Sequence, residues 1–179
     1  AAIRLLLNDN PEAATRLRLD VAGPMETPHR RRFEEDIAAA ELTSVVHIHG
    51  LLSRAQALEL LSRSSLALVL AQGQPMQVPA KLYESVALGI PTLVIAEETS
   101  AAAHEARRIG AMTLDGENVE GLRALFGDML AGHLPTKIEA KAPIAYANLA
   151  QEWNDLLQKS LNLEYVQSTS SVSAMTETV

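Results

Sequence analysis

The sequence predicts an α/β fold, with a mostly parallel sheet covered by helices on both faces, and three observations lead to it. Short apolar segments rich in β-branched residues alternate with helical patterns along most of the 179 residues. Several of these apolar segments end at a glycine, which is typical of a strand that turns into a loop. The composition, 47% hydrophobic and 21% charged, is that of a globular domain able to bury a sizeable core.

The first third of the chain carries two strand patterns between helical ones. A helical pattern opens the chain and is broken near Pro11, because proline removes a backbone donor. Residues 17–23 alternate apolar and polar side chains and end at a glycine, which predicts a strand. A helix is predicted over residues 29–42 and a second strand over residues 44–50. Ser53 is expected to cap the helix that follows.

The middle of the chain predicts two more strands around a short helix. Residues 65–72 are almost continuously apolar, as expected of a strand buried on both faces. Pro79 suits the first turn of a helix, where its missing N–H would have no partner. Gly89 is placed to end that helix and Pro91 prevents its continuation. A strand is then expected over residues 92–96.

The last part of the chain predicts a final strand and three helices. A helix that stops at Gly110 precedes a short strand over residues 111–114. Asn118 is the expected N-cap of the next helix. Residues 144–161 show an amphipathic helical pattern, whereas residues 162–179 are rich in Ser and Thr and predict a poorly structured tail.

Charge and composition exclude several classes of function. The net charge of −7 and the pI of about 5.2 argue against non-specific binding to nucleic acid or to an anionic membrane. The sequence holds no cysteine, which excludes disulfides and thiolate metal sites and suits a cytoplasmic protein. No apolar segment approaches the ~20 residues that span a bilayer, and the N-terminus lacks a signal-peptide pattern.

The remaining polar clusters favour structural roles. His47 and His49 share one face of a strand, but no further ligand stands near them, so no metal site is predicted. The basic cluster of residues 29–32 could attract an anionic ligand or lipid, although a solvated helix start is the simpler interpretation. The acids of residues 34–36 point in different directions along a helix. His104 and Glu105 lack zinc-motif spacing and are interpreted as surface residues.

One stretch is more specific than the rest: "PAKLYESVALGIPTLV", residues 79–94, places a single acid, Glu84, in a mild helix between a proline and a Gly-x-Pro stop. Together with "VVHIHGLLSRAQALELLSRSSLALVLAQ", it resembles the C-terminal, donor-nucleotide-binding domain of GT-B-fold glycosyltransferases, and most of all retaining family four. The likeness covers roughly residues 1–160. It implies a Rossmann-like sheet that is one half of a GT-B architecture.

The resemblance assigns a role to Glu84, whose carboxylate would accept hydrogen bonds from the two ribose hydroxyls of a nucleotide sugar. The helix that begins at Pro79 would aim its free amides and its positive dipole end at the diphosphate. Lys81 could add a point charge there. The amides of Val78 and Ala80 are further candidates for contacts with the donor.

The resemblance also implies that backbone groups just after the second strand, which ends at Gly50, read the nucleotide base. Leu51 and Leu52 are therefore candidate contacts, with Gly50 beside them. Gly23 ends the neighbouring strand at the same edge of the sheet and is a candidate for the same reason. Ligands of parallel α/β sheets bind beyond the carboxyl ends of the strands. No catalytic residue, metal or resident cofactor is assigned to this chain.

The function implied is that of a donor-binding domain. The whole enzyme would transfer a sugar from a UDP- or GDP-linked donor to an acceptor glycan, lipid or small molecule, and would not bind nucleic acid. The acceptor would be held by an absent N-terminal domain of the same protein, so the isolated chain is expected to be inactive. The expected location is cytoplasmic, including the inner face of a membrane.

Two departures from the family pattern shape the expected domain organisation. Met76 replaces a glutamate that many members direct at the donor sugar. A strand ending in Gly-Arg, and a lysine after it, are also missing, although that strand is normally central in the sheet. The chain is therefore expected to be part of a larger polypeptide. It would comprise a nucleotide-sugar-binding domain without its first strand (1–134), a connector with a C-terminal helix (135–161) and the tail (162–179).

Two alternatives stay open at this point. The departures fit a non-catalytic Rossmann-like interaction module that acts through protein contacts. A nucleotide-sugar epimerase of similar two-domain architecture is also compatible with the pattern, but the acids and histidines that it would need in the cleft are not evident. Nucleotide titration against the chain and a Glu84→Ala variant distinguishes a donor-binding domain from the interaction module.

Overall fold

The structure of the protein is a computed structural model that describes residues 1–142. The predicted helix over residues 144–161 and the tail lie outside the described residues. Residues Ala1–Lys141 form one compact unit. Its elements are α1 (Ala2–Asp9), a 3-10 helix (Pro11–Thr15), β1 (Leu19–Ala22), α2 (Thr27–Ala39), β2 (Val46–Gly50), α3 (Arg54–Ser62), β3 (Ala67–Leu70), α4 (Ala80–Ala87), β4 (Thr92–Ile95), α5 (Ala101–Ile109), β5 (Met112–Leu114) and α6 (Val119–Ala131).

The described part confirms the α/β class, and each strand predicted within it is present, shorter than predicted by one to four residues in all. The N-caps predicted at Ser53 and Asn118 are also confirmed, since each side chain accepts a hydrogen bond from a backbone N–H of the first turn. Pro79 differs slightly from expectation. It is the extended N-cap of α4, and the helix begins at Ala80.

All strand pairs are parallel, but the described strands form two sheets rather than one. β1 pairs with β2, with Asp20 opposite His47, and β3, β4 and β5 follow one another in a second sheet. Within residues 1–142 no hydrogen-bonded strand joins β1 to β3. The expected single sheet is therefore interrupted at its middle.

The core is built from aliphatic side chains, as the scarcity of aromatic residues requires. Leu93 on β4 is completely buried, and α1 and α6 pack over it through Ala2, Leu122 and Phe126. Against the same sheet α5 presents a face of small side chains, which lets helix and strand backbones approach closely. The fully buried members of that face are Ala102, Ala103, Ala106 and Ile109.

The end of α4 is fixed by a Schellman motif, as the Gly89 prediction anticipated. Gly89 has φ +74°, and its N–H donates to the Val86 carbonyl at 2.9 Å. The Ile90 N–H reaches back to the Ser85 carbonyl at 3.0 Å, which completes the motif. The Ile138 N–H donates to the Gly89 carbonyl at 2.8 Å. These bonds hold the helix that carries Lys81 and Glu84.

Candidate functional site

The first turn of α4 presents free backbone donors at the end of the loop that leaves β3. The Leu82 N–H donates to the Pro79 carbonyl at 3.0 Å, and no side chain caps the helix. Within the described residues, the amides of Ala80 and Lys81 therefore have no protein acceptor. Free first-turn amides and the positive end of the helix dipole together favour an anion.

Lys81 and Glu84 lie one turn apart on α4 and form an ion pair, with 2.5 Å between Nζ and Oε2. The Lys81 side chain is 67% exposed and that of Glu84 is 30% exposed. The opposite face of α4 is buried through Leu82, Ser85 and Val86. The carboxylate therefore projects away from the core, and the exposed cation beside it is free to change partner.

Both side chains line a cavity of about 670 Å³ between the two sheets. Its walls come from β1 and its approach on one side, and from α3, β3 and α4 on the other. Most of the lining is apolar, with a few charged groups. The charged lining residues are Arg16, Arg18, Asp20, Arg63, Lys81 and Glu84.

Asp20 anchors a cluster of polar side chains on the β1 wall of this cavity. Its carboxylate accepts hydrogen bonds from Arg18 Nε at 2.9 and 3.0 Å, and lies 2.6 Å from His49 Nε2. The Arg18 hydrogen bond holds the pKa of Asp20 below its ordinary value, and the His49 bond acts in the same direction against partial burial. His49 is therefore held against Asp20 rather than pointing free into solvent.

The candidate base-reading residues line a different cavity, of about 450 Å³, at the carboxyl ends of β1 and β2. Gly50 and Leu51 line it with Arg30 and Met25, and the Gly23 N–H donates to the Gly50 carbonyl at 2.8 Å. Gly23 and Gly50 have φ +150° and +69°, which L side chains rarely adopt. The structure brings these three residues together, but it does not place them in the Lys81–Glu84 cavity.

The predicted loop contacts lie beside the first cavity rather than in its wall. Val78, Pro79 and Ala80 do not line either cavity. Met76 is 87% exposed in the same loop. Leu51 and Leu70 are also exposed at strand ends, at 79% and 70%.

The basic cluster on α2 is largely neutralised locally. Arg30 and Arg31 pair with Glu34 and Glu35 one turn further on, with N–O distances of 2.9 Å. This agrees with a solvated helix start and assigns a partner to two of the adjacent acids. Arg30 alone also contributes to a cavity, the one lined by Gly50.

Glu105 corrects the sequence interpretation, which placed it on the surface. Its side chain is only 15% exposed, and it accepts hydrogen bonds from Tyr83 Oη at 2.9 Å and from Arg108 at 2.7 Å. The Arg108 bond lowers the pKa of Glu105, and the Tyr83 bond adds to this effect. The aromatic residue of the Lys-Tyr-Glu stretch therefore links α4 to α5.

Glu97 is a candidate that the sequence interpretation missed. Its Oε1 accepts the Gly73 N–H at 2.7 Å, which ties the loop after β3 to the end of β4. Its Oε2 is buried without a hydrogen-bond partner among the described residues. An acid directly after a buried strand lies at the edge where α/β sheets bind ligands, and that position could have drawn attention to it.

Comparison with known proteins supports the fold. No family model and no curated protein matches the sequence. Among solved structures, the chain is similar to AviGT4, a glycosyltransferase involved in avilamycin A biosynthesis, with a TM-score of 0.55 and 18% sequence identity. The match covers 90% of this chain and 47% of AviGT4, so the chain spans about half the length of that protein.

The helices of residues 1–142 include none that combines the length and the apolar character needed to cross a membrane.

Proposed function

We propose that the chain is the donor-binding part of a glycosyltransferase of the GT-B type. The observation that carries the proposal is the N-terminal half of α4, where Lys81 and Glu84 line the wall of a large cavity and the free amides of Ala80 and Lys81 lie beside them. The fold shared with AviGT4 supports it, because that protein is a glycosyltransferase. The resemblance to retaining family four implies the same role for this helix.

Glu84 is proposed to bind the ribose of the donor nucleotide. Its two carboxylate oxygens can accept from two neighbouring hydroxyls, and hydrogen bonds to a charged acceptor are short and strong. In the free protein Lys81 balances that charge at 2.5 Å. When a donor binds, Lys81 would turn to the diphosphate, to which the free amides of Ala80 and Lys81 would also donate.

The reaction that follows from this arrangement breaks the bond between the anomeric carbon and the diphosphate oxygen. Negative charge grows on the departing nucleoside diphosphate, and fixed donors at that point stabilise the transition state. The sugar passes to a hydroxyl of an acceptor that a second part of the protein would hold. Gly50 and Leu51 are proposed to bind the base, with Gly23 beside them.

Binding of UDP and of 2′-deoxy-UDP by calorimetry tests the role of Glu84. We expect the unmodified chain to prefer UDP by about 10- to 100-fold, since a hydrogen bond to a charged group contributes about 1.5–3 kcal/mol. The Glu84→Ala variant should lose most of that preference. Glu120→Ala is the matched control, because Glu120 forms an equivalent pair with Arg123 three residues on. The same tests apply to GDP and its deoxy form.

If the Glu84→Ala variant keeps the same preference for UDP over 2′-deoxy-UDP, Glu84 does not bind the ribose. Absence of binding by any nucleotide would favour the second candidate function, a non-catalytic interaction module. The observation that favours that candidate is the set of apolar side chains exposed at strand ends and in the following loop, namely Leu51, Leu70 and Met76.

A further inference from the structure

The cavity at the carboxyl ends of β1 and β2 carries two side chains of opposite charge. Glu26 and Arg30 line it and lie one turn apart at the start of α2, where the Arg30 N–H donates to the Glu26 carbonyl at 2.9 Å. The rest of the lining is apolar apart from Gly50, and comes from Pro24, Met25, Ile48 and Leu51. Apolar walls with a few charged groups are typical of a site that binds and orients a small ring.

The Glu26 carboxylate is available to a ligand. Glu26 is the N-cap residue of α2, but its side chain accepts no hydrogen bond from the helix. Among residues 1–142 it also forms no hydrogen bond or ion pair with another side chain. An ionised carboxylate only accepts hydrogen bonds, through two oxygens that lie side by side. It therefore matches a ligand edge that presents two adjacent N–H donors.

Arg30 supplies the complementary donors. Its Nε donates to Glu34 at 2.9 Å, which orients the guanidinium and leaves the N–H groups of Nη1 and Nη2 for a ligand. Nη1 lies 3.9 Å from the position that a Cβ on Gly50 would take. The side chain thus extends from α2 to the end of β2, where the base is proposed to bind.

The charges around this cavity disfavour a phosphate group. Arg30 is the one cation that lines it, and Glu26 and Glu34 place two carboxylates beside that cation. The local net charge is therefore negative, which repels an anion but not an uncharged ring. This agrees with a diphosphate bound at α4, where Lys81 and free amides lie, and with a base bound here.

We propose that this cavity selects guanine, so that the donor is a GDP-linked sugar. The inference rests on the proposed function, which brings the nucleotide base to this cavity. The Glu26 carboxylate accepts from guanine N1–H and from the 2-amino group. Arg30 donates to guanine O6 and N7, the acceptor pair that arginine binds most often.

The other bases do not match this pair of side chains. Uracil places its N3–H between two carbonyl oxygens, so a carboxylate that accepts from it also faces acceptors. Adenine has a lone pair at N1 and an amino group in place of O6, so both Glu26 and Arg30 meet a group of their own kind. A ligand that leaves the polar groups of a site unpaired is rejected more strongly than one that is merely smaller.

Binding of GDP, IDP and UDP to the 179-residue chain by calorimetry tests the role of Glu26. IDP differs from GDP only in lacking the 2-amino group. We expect GDP to bind about 10-fold more tightly than IDP or UDP, within the discrimination typical of bidentate base contacts. Glu26→Ala should bind GDP and IDP alike. Glu35→Ala is the matched control and should keep the preference, because Glu35 lies on α2 but does not line the cavity.

The nucleotide 7-deaza-GDP tests Arg30, since it lacks the N7 acceptor. We expect the unmodified chain to bind it about 5-fold more weakly than GDP, and Arg30→Met to bind the two alike. Arg31→Met is the control, because Arg31 forms an equivalent pair with Glu35 and does not line the cavity. Equal effects of the two arginine variants would contradict a contact between Arg30 and the base.

The preference for GDP over 2′-deoxy-GDP separates this proposal from the proposed function. That preference depends on Glu84 and should persist in Glu26→Ala. A chain that keeps it but binds GDP, IDP and UDP equally, or UDP more tightly, would overturn guanine selection alone. Equal weakening of all three nucleotides by Glu26→Ala would also overturn it, because Glu26 would then not distinguish the base. Absence of binding by every nucleotide would overturn both proposals.

Discussion

Each acidic side chain that lines the larger cavity is paired with a basic side chain, and this pairing limits its capacity for proton transfer. Asp20 lies between Arg18 and His49, and Glu84 lies against Lys81. A general base is most effective when its pKa is near the working pH, whereas the Arg18 hydrogen bond holds the pKa of Asp20 below its ordinary value. Asp20 is therefore better suited to organising the β1 wall than to proton transfer.

The lowered pKa of Asp20 predicts a pH dependence of stability. A carboxyl group whose pKa is lower in the folded protein than in the unfolded chain stabilises the fold above its unfolded pKa, about 3.9. That stabilisation is lost as the pH falls below about 4 towards the folded pKa. Asp20→Asn should thus lower the free energy of unfolding by about 1 kcal/mol at pH 7 and by much less at pH 2–3.

Urea unfolding at a series of pH values measures this difference. Asp128→Asn is the control, since Asp128 lies next to His133 in an exposed pair and should show little effect at either pH. A deficit for Asp20→Asn that stays constant from pH 7 to pH 2 would mean that ionisation of Asp20 contributes nothing to stability.

At the scale of elements, the site depends on how α4 is held at both ends. Its C-terminal end is fixed by the Schellman motif at Gly89, and its outer face is tied to α5 through Tyr83 and Glu105. Its N-terminal end has no side-chain cap. The helix is therefore rigid where it meets the core and open where a ligand would bind, which is the arrangement that preorganised anion sites need.

Two glycines of different conformation allow a test of this support. Gly89 has φ +74°, and a Cβ there would meet the Ile138 carbonyl oxygen at 3.3 Å. Gly89→Ala should therefore destabilise the protein by about 1–2 kcal/mol. Gly127 lies within α6, where a Cβ would make an ordinary 3.9 Å contact with Leu6, so Gly127→Ala should be neutral or stabilising by up to about 1 kcal/mol.

Thermal or urea unfolding of the two variants provides the measurement. Destabilisation by Gly89→Ala but not by Gly127→Ala is the expected result, because both variants add the same methyl group and differ in the backbone conformation that receives it. Equal destabilisation by both would show that α4 does not depend on the left-handed turn after it.

At the scale of the whole molecule, periodicity and chain-breaking residues were enough to predict the elements of residues 1–142. These signals are informative because apolar alternation, proline and glycine determine secondary structure over only a few residues of the chain. The split of the sheet could only be expected from a family likeness, since strand pairing depends on contacts between distant segments. The Tyr83–Glu105–Arg108 link was missed for the same reason, because Tyr83 and Glu105 are distant in sequence and meet only in the fold.

Local sequence likewise could not show that the candidate site is divided. Lys81 and Glu84 belong to the cavity between the sheets, whereas Gly50 and Leu51 belong to the cavity at the ends of β1 and β2. A nucleotide that used both would cross the carboxyl ends of the strands, with its ribose near α4 and its base near β2.

This geometry predicts binding without turnover for the 179-residue chain. The acids that line the larger cavity are Asp20 and Glu84, and each is already paired with a basic side chain, so neither is free to activate an acceptor hydroxyl. The chain also spans about half the length of AviGT4, and a second half would be needed to hold the acceptor and to exclude water.

We expect it to bind UDP or GDP but to release no sugar from their sugar conjugates above the uncatalysed rate. Nucleoside diphosphate release from a panel of UDP- and GDP-sugars measures this, with an active glycosyltransferase of the GT-B type as the positive control. Turnover by the 179-residue chain alone would place the catalytic groups within it and would contradict the assignment of this part to donor binding.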